Sequence, residues 1–227
     1  MWKKPAQSLI QKSFNLSSSN LLQSRADVQF NLGFDIVHEK KDGFAMTFEQ
    51  VHGADGAKVE HREENLERKA DWIWTQTPQL RVGVFVADCT ASLLGGVRKG
   101  SPFVAALHCG WRGTAKEIIQ KAIKEISPDP GWMAWMSPSI CQEHFEVGDE
   151  VLDALQLSPA QRLEWSRPSR PTKSLLDLRA YQRALVHERG GLIHGSSLCT
   201  YCQPEFISYR QSGPNLQARH LAWVEML

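Results

Sequence analysis

VGVFVADCTASLLGGVRKGSPFVAALHCGWRGT, residues 82–114, decides the reading of the chain. Two apolar runs within it, Val82–Ala87 and Phe103–Leu107, have the length and composition of buried strands. Each ends in residues that can bind metal or react. The first delivers Asp88 and Cys89. The second delivers His108, followed at once by Gly110-Trp111-Arg112-Gly113 and a helix. Outward from this stretch, Gly43–Val51 reads as a strand ending at His52, so a second imidazole stands at the end of a third strand.

The chain has 227 residues, 42% of them hydrophobic and 22% charged, with a net charge of +1. That is the composition of an ordinary globular domain with a sizeable core. No basic block resembles a nucleic-acid arm, and no apolar run approaches the length needed to span a bilayer. The N-terminal segment lacks the continuous apolar core of a signal peptide. Five cysteines, an odd number, fit thiols kept for packing, metal or chemistry in a reducing compartment. The expectation is a cytoplasmic protein without nucleic-acid or membrane partners.

Further strands are expected at Val28–Val37, Trp72–Thr75, Trp132–Met136, Leu192–His194, Phe206–Tyr209 and His220–Met226. Helices are expected at Thr114–Ile126, Val147–Leu157 and Asp177–Arg189. In the first, Ala115, Ile118, Ile119, Ala122, Ile123 and Ile126 form one stripe, Thr114 serves as N-cap and Glu117 completes a capping box. Residues 168–171 read as a surface loop, and His61–Lys69 as a solvated charged stretch. With no linker or internal repeat, the expectation is one domain over residues 1–227. Its class is α+β (mixed α/β), with helices packed over a mixed sheet.

His52, Cys89 and His108 are suitable zinc ligands, and copper is a second option. Three protein ligands leave one position open, the pattern of a catalytic zinc. The same Cys89 and His108 also suit a metal-free nucleophile–base pair. Arg112, at a helix start among glycines, suits an anion. Cys199-Thr200-Tyr201-Cys202 is half a zinc site or a redox pair, and packing at a strand start is the favoured reading. His144, His187 and His194 are assigned no role.

Several segments together resemble the laccase-domain family, also described as multicopper polyphenol oxidase and as zinc-dependent purine nucleoside phosphorylase. They are Gln50-Val51-His52-Gly53, Ala87-Asp88-Cys89, His108 to Thr114, Phe145 to Val151, Cys199 to Cys202 and Ser208-Tyr209-Arg210. The resemblance spans roughly residues 44–227. It implies zinc (or copper) on His52, Cys89 and His108, with Cys89 and His108 central to catalysis and Arg112 and Arg210 binding phosphate. It implies phosphorolysis of adenosine, inosine and methylthioadenosine, with adenosine deamination as a further activity. The partners would then be a small nucleoside and phosphate. The alternatives are a metal-free Cys–His hydrolase or amidase, including a peptidoglycan-editing role, and a copper-dependent polyphenol oxidase. The resemblance also implies a fold of the type found in Cys–His toxin deamidases. The chain departs from the family pattern at its N-terminus, where the threonine-arginine and paired-glycine segment is not recognisable. It departs again at Thr90-Ala91, Cys109, Gln211 and Gln217-Ala218-Arg219.

Overall fold

The two apolar runs of residues 82–114 fall in different sheets. A computed structural model describes residues 10–16, 28–37, 48–61 and 68–227. A four-stranded sheet has the order β1 (Ile10–Leu16), β2 (Val28–Val37), β13 (Arg219–Met226), β5 (Val82–Val86). A six-stranded sheet has the order β12 (Leu192–Gly195), β8 (Met133–Met136), β6 (Thr90–Arg98), β7 (Ser101–Cys109), β4 (Trp72–Thr75), β3 (Gly56–Lys58). β9 (Glu146–Gly148), β10 (Ser166–Arg170) and β11 (Lys173–Leu176) form a small third sheet. Asp88 and Cys89 are the crossing from β5 to β6, between the two large sheets.

The middle of the six-stranded sheet is buried on both faces, which explains why β4, β8 and the run Phe103–Leu107 of β7 are buried at every position. Trp72, Trp74, Phe103, Ala105 and Leu107 face one core, packed with α2 (Ile118–Ile126) and α5 (Leu178–Glu188). Their alternates Ile73, Val104 and Ala106 face the other core, against Phe30, Leu32, Val84, Ala222 and Val224 of the four-stranded sheet. The chain is therefore α+β, with helices on one side of the central sheet and a second sheet on the other.

Several expected elements change. β6 lies in the middle of the six-stranded sheet, although Thr90–Arg98 gives no strand signal. Gly95 and Gly96 mask it: a Cβ at Gly95 would stand 2.7 Å from the Phe30 ring, and one at Gly96 2.8 Å from Trp132 Cβ. The glycines are there for close packing, not for a turn.

The expected helix from Thr114 is two helices, α1 (Trp111–Ala115) and α2, with Glu117 left-handed between them at φ 64°. Thr114 is not a cap. Its hydroxyl donates to Gly110 O at 2.9 Å and accepts from Gln182 Nε2 at 2.8 Å. That clasp holds α1, while the five buried residues of α2 seat on the sheet, and the chain must turn at Glu117 to satisfy both.

Val147 belongs to β9, and the helix after it, α3, is only Asp149–Ala154. Residues 168–171 are not simply a loop: Pro168 lies in β10, an edge strand, where its missing N–H costs no ladder bond. Between β10 and α3 runs α4 (Pro159–Trp165). Phe206–Tyr209 is not a strand. The Ile207 N–H is taken by the His220 ring at 2.8 Å, and Ser208 caps the short α6 (Tyr209–Ser212). Of the expected strand Gly43–Val51, residues 43–47 lie outside the described residues, and only a single bridge, Glu49 to Lys69, forms in the remainder. Most of the charged stretch His61–Lys69 likewise lies outside them. No helix among the described residues is long and apolar enough to cross a membrane.

Candidate active site

Strand register assembles the site. Thr90 pairs with Cys109 and Ala91 with His108, so Cys89 comes next, opposite Gly110. A Cβ on Gly110 would stand 3.0 Å from Cys89 Sγ and 3.8 Å from His108 Nε2. The bare glycine is what leaves room for the sulfur beside the imidazole. Trp72 pairs with Leu107, which sets Asp71 next to His108, and the His108 N–H donates to Asp71 O at 2.8 Å.

Asp71 is the residue that sequence reasoning missed. It is fully buried, and its carboxylate gathers four donors. The N–H groups of Val51, His52 and Gly53 reach it at 3.2, 2.9 and 2.6 Å, and His108 Nδ1 at 2.9 Å. Burial alone would raise its pKa. The His108 hydrogen bond and the backbone donors overcome this and hold the group below the usual carboxylate range. Asp71 thus fixes the His52 turn and the His108 ring together. The only sequence signal is an acid immediately before an all-apolar strand.

The ring centroids of His52 and His108 are 4.8 Å apart at 75°. His52 does not follow a strand. It sits in a loop at φ 57°, held by Asp71 and by Gln50, whose amide bonds Phe85 N at 2.7 Å and Phe85 O at 2.8 Å. Asp88 is also left-handed, at φ 76°. Its carboxylate accepts from Thr200 Oγ1 at 2.7 Å, Ser208 Oγ at 3.0 Å and Arg210 N at 2.7 Å. The turns at His52 and Asp88 therefore both hold a strained backbone pinned by a carboxylate that gathers several donors.

Burial depresses His108, but its electrostatic interaction with Cys89 and its hydrogen bonds to Asp71 and Cys89 raise its pKa to about 9. Burial and the neighbouring His108 lower the pKa of His52.

These side chains line one cleft of about 460 Å³. His52, Cys89, His108, Arg112 and Arg210 all border it, and Ile140, Phe145 and Tyr209 add apolar wall. The five residues singled out from the sequence thus meet in one place. The Arg112 guanidinium stacks over Trp111 at 4.4 Å and makes no hydrogen bond to the described residues. Arg210 is more committed: its guanidinium donates twice to Glu146 O, at 3.1 and 3.2 Å.

The donor set fits a metal ion. Two imidazoles and a sulfur face the cleft, and a buried carboxylate fixes the tautomer of one imidazole, leaving its Nε2 to bind. The atoms of His52, Asp71 and His108 lie within 4.8 Å of one another. The oxygens of Asp71 already accept from four donors, one of them His108 Nδ1, and Cys89 stands on the other side of the His108 ring.

The family described as multi-copper polyphenol oxidoreductase laccase matches residues 8–226. The chain belongs to that family. A purine nucleoside phosphorylase of Pseudomonas aeruginosa is 30% identical over 181 residues, covering 78% of this chain and 73% of that protein. An adenosine deaminase from an unknown prokaryotic organism is 31% identical over 212 residues, covering 86% and 78%. A Neisseria meningitidis protein of solved structure superposes with a TM-score of 0.72 at 27% identity, over 80% of this chain and 74% of that one. The match to the family begins upstream of every segment quoted above.

Proposed function

We propose that the chain is a zinc-dependent enzyme of purine nucleosides, with phosphorolysis as its main reaction. The observation that carries this reading is the Asp71–His108 pair, which presents the imidazole beside Cys89 and His52 in a cleft large enough for a small ligand. The family, and relatives named for nucleoside phosphorolysis and adenosine deamination, support it.

His52, Cys89 and His108 would hold the ion. When bound, zinc supplies a Lewis-acidic charge at the cleft. Asp71 keeps His108 protonated on Nδ1, so Nε2 remains the binding atom. Arg112, whose guanidinium bonds none of the described residues, orients a phosphate through paired N–H donors. Arg210 braces Glu146 and has fewer donors left for the substrate. Phe145 and Tyr209 offer aromatic faces to a purine. In phosphorolysis a phosphate oxygen bonds to C1′ as the C1′–N9 bond breaks, and the base leaves with the electron pair and takes up a proton. The Arg112 charge places that phosphate against developing positive charge on the ribose.

The test is turnover of adenosine, inosine and methylthioadenosine by zinc-loaded protein, with and without phosphate. Base release that requires phosphate is expected. Phosphate-independent ammonia release from adenosine would assign deamination instead, and no turnover in either arm would sink the reading.

A second reading has its own observation. Cys89, His108 and Asp71 also stand in the order of a nucleophile, base and orienting acid, with His108 Nδ1 held by Asp71. A metal-free hydrolase of this kind would be stopped by thiol alkylation and untouched by a chelator. The copper alternative finds less support, because among the described residues the cleft brings two histidines and one cysteine together.

A further inference from the structure

Four donors outside the cleft converge from two short loops. Cys141 and His144 lie between β8 and β9, and Cys199 and Cys202 lie after β12. Their ligand atoms are all within 4.8 Å of one another. Cys141 Sγ is 3.2 Å from His144 Nδ1 and 3.9 Å from Cys202 Sγ, and Cys202 Sγ is 3.4 Å from His144 Nδ1. A tetrahedral zinc with three thiolates and one imidazole sets sulfur–sulfur edges of ~3.8 Å and sulfur–nitrogen edges of ~3.6 Å. The sulfur–sulfur spacing of 3.9 Å matches that edge, and the sulfur–nitrogen spacings of 3.2 and 3.4 Å fall a few tenths of an ångström short of theirs.

The loops are built to hold this arrangement. Ser139 bridges Cys199, with Thr200 N donating to Ser139 O at 3.2 Å. The Cys141 N–H points at Cys199 Sγ at 3.2 Å, a backbone donor placed to stabilise a thiolate. The His144 ring stacks on Tyr201 at 4.1 Å and 17°, which fixes the ring with Nδ1 toward the sulfurs. Each loop also has the short spacing of a structural zinc loop, Cys-x-x-His in one and Cys-x-x-Cys in the other. Thiol–thiol contacts alone are weak and would not explain such convergence.

The geometry points to a second, structural zinc site closed by Cys141, His144, Cys199 and Cys202. With four protein donors it leaves no open position, so its task is to clamp. The clamped loops form the wall of the cleft: Ile140 N bonds Asp88 O at 3.0 Å, Thr200 holds the Asp88 carboxylate, and Phe145 borders the cavity. The site stands independently of any metal in the cleft.

Elemental analysis of reduced, zinc-equilibrated protein tests it. Two zinc ions per chain are expected in the wild type and one in a His52→Ala/His108→Ala variant. Cobalt(II) in that variant should show the intense charge-transfer absorption of several thiolates. His144→Cys should keep the ion, with the absorption of a four-thiolate site, and His144→Ala should bind it far more weakly. The wild-type cobalt spectrum needs no substitution, so a misfolded variant does not remove the test. A wild type that saturates with one zinc, with none left in the His52→Ala/His108→Ala variant, overturns the proposal. So does a Cys141–Cys202 disulfide in protein isolated without added oxidant.

Discussion

The cleft and the loop cluster are both made of cysteine and histidine, but they are assembled in opposite ways. The cleft draws His52, Cys89 and His108 from three distant parts of the chain and depends on sheet register and a buried acid to align them. The loop cluster uses two local pairs and needs only that two turns lie side by side. A site assembled through register has one side left for a ligand. A site assembled from local pairs closes on itself. The difference separates a group that can act on a substrate from one that can only hold the chain.

The largest expected contrast comes from Cys89→Ser or His108→Ala. Turnover should fall below detection and the cleft should lose its zinc, while the loop cluster keeps its own. Metal content beside nucleoside turnover reads both, and loss of both ions from either variant would break the distinction. Asp71→Asn comes next. It preserves the shape but weakens the hold on the His108 proton and the His52 turn, and it should cost about 10–100-fold in cleft zinc affinity by chelator competition. An unchanged affinity would remove Asp71 from the site.

Acid should act on the wall through His220. This ring is buried, stacked on Phe34 at 4.3 Å and edge-on to Phe206 at 5.5 Å, and it accepts the Ile207 N–H. Burial lowers its pKa from 6.5 to about 4. A depressed folded value means the neutral ring contributes its full stability above pH 6.5, and that contribution is lost as pH falls toward 4. The loss is on the order of 3 kcal/mol. Urea midpoints across that range should fall steeply in the wild type and less in His220→Gln, and parallel curves would exclude this origin. The smallest effect is a control far from both clusters. Ser158 caps α4 in a reciprocal box with Gln161, and Ser158→Ala should cost about 1 kcal/mol in thermal unfolding with both ions retained.

Much of the frame was legible because buried strands carry their apolar residues in short runs or in alternation. β2, β4, β5 and β13 stand where the apolar runs predict them, to within a residue. β6 was not legible, because its glycines answer to Phe30 and Trp132, which are remote in sequence. The break at Glu117 was hidden for a similar reason: the stripe runs unbroken through it, and only the Gln182–Thr114 clasp shows why the helix must bend. At the site, His52, Cys89 and His108 were visible as donors and through resemblance. Asp71 was invisible until the register of β4 against β7 was known. Cys199 and Cys202 were read as packing because their partners, Cys141 and His144, lie some sixty residues earlier.

Gln50 has an effect beyond steadying His52. β5 is the outer strand of its sheet, and an outer strand with open N–H and C=O groups invites another chain to pair with it. The Gln50 amide occupies both backbone groups of Phe85, mimicking a neighbouring strand with a single side chain. Any chain adding there would have to displace Gln50 first. The loop that presents a cleft histidine is thus also a guard against self-association, and Gln50→Ala should expose that edge.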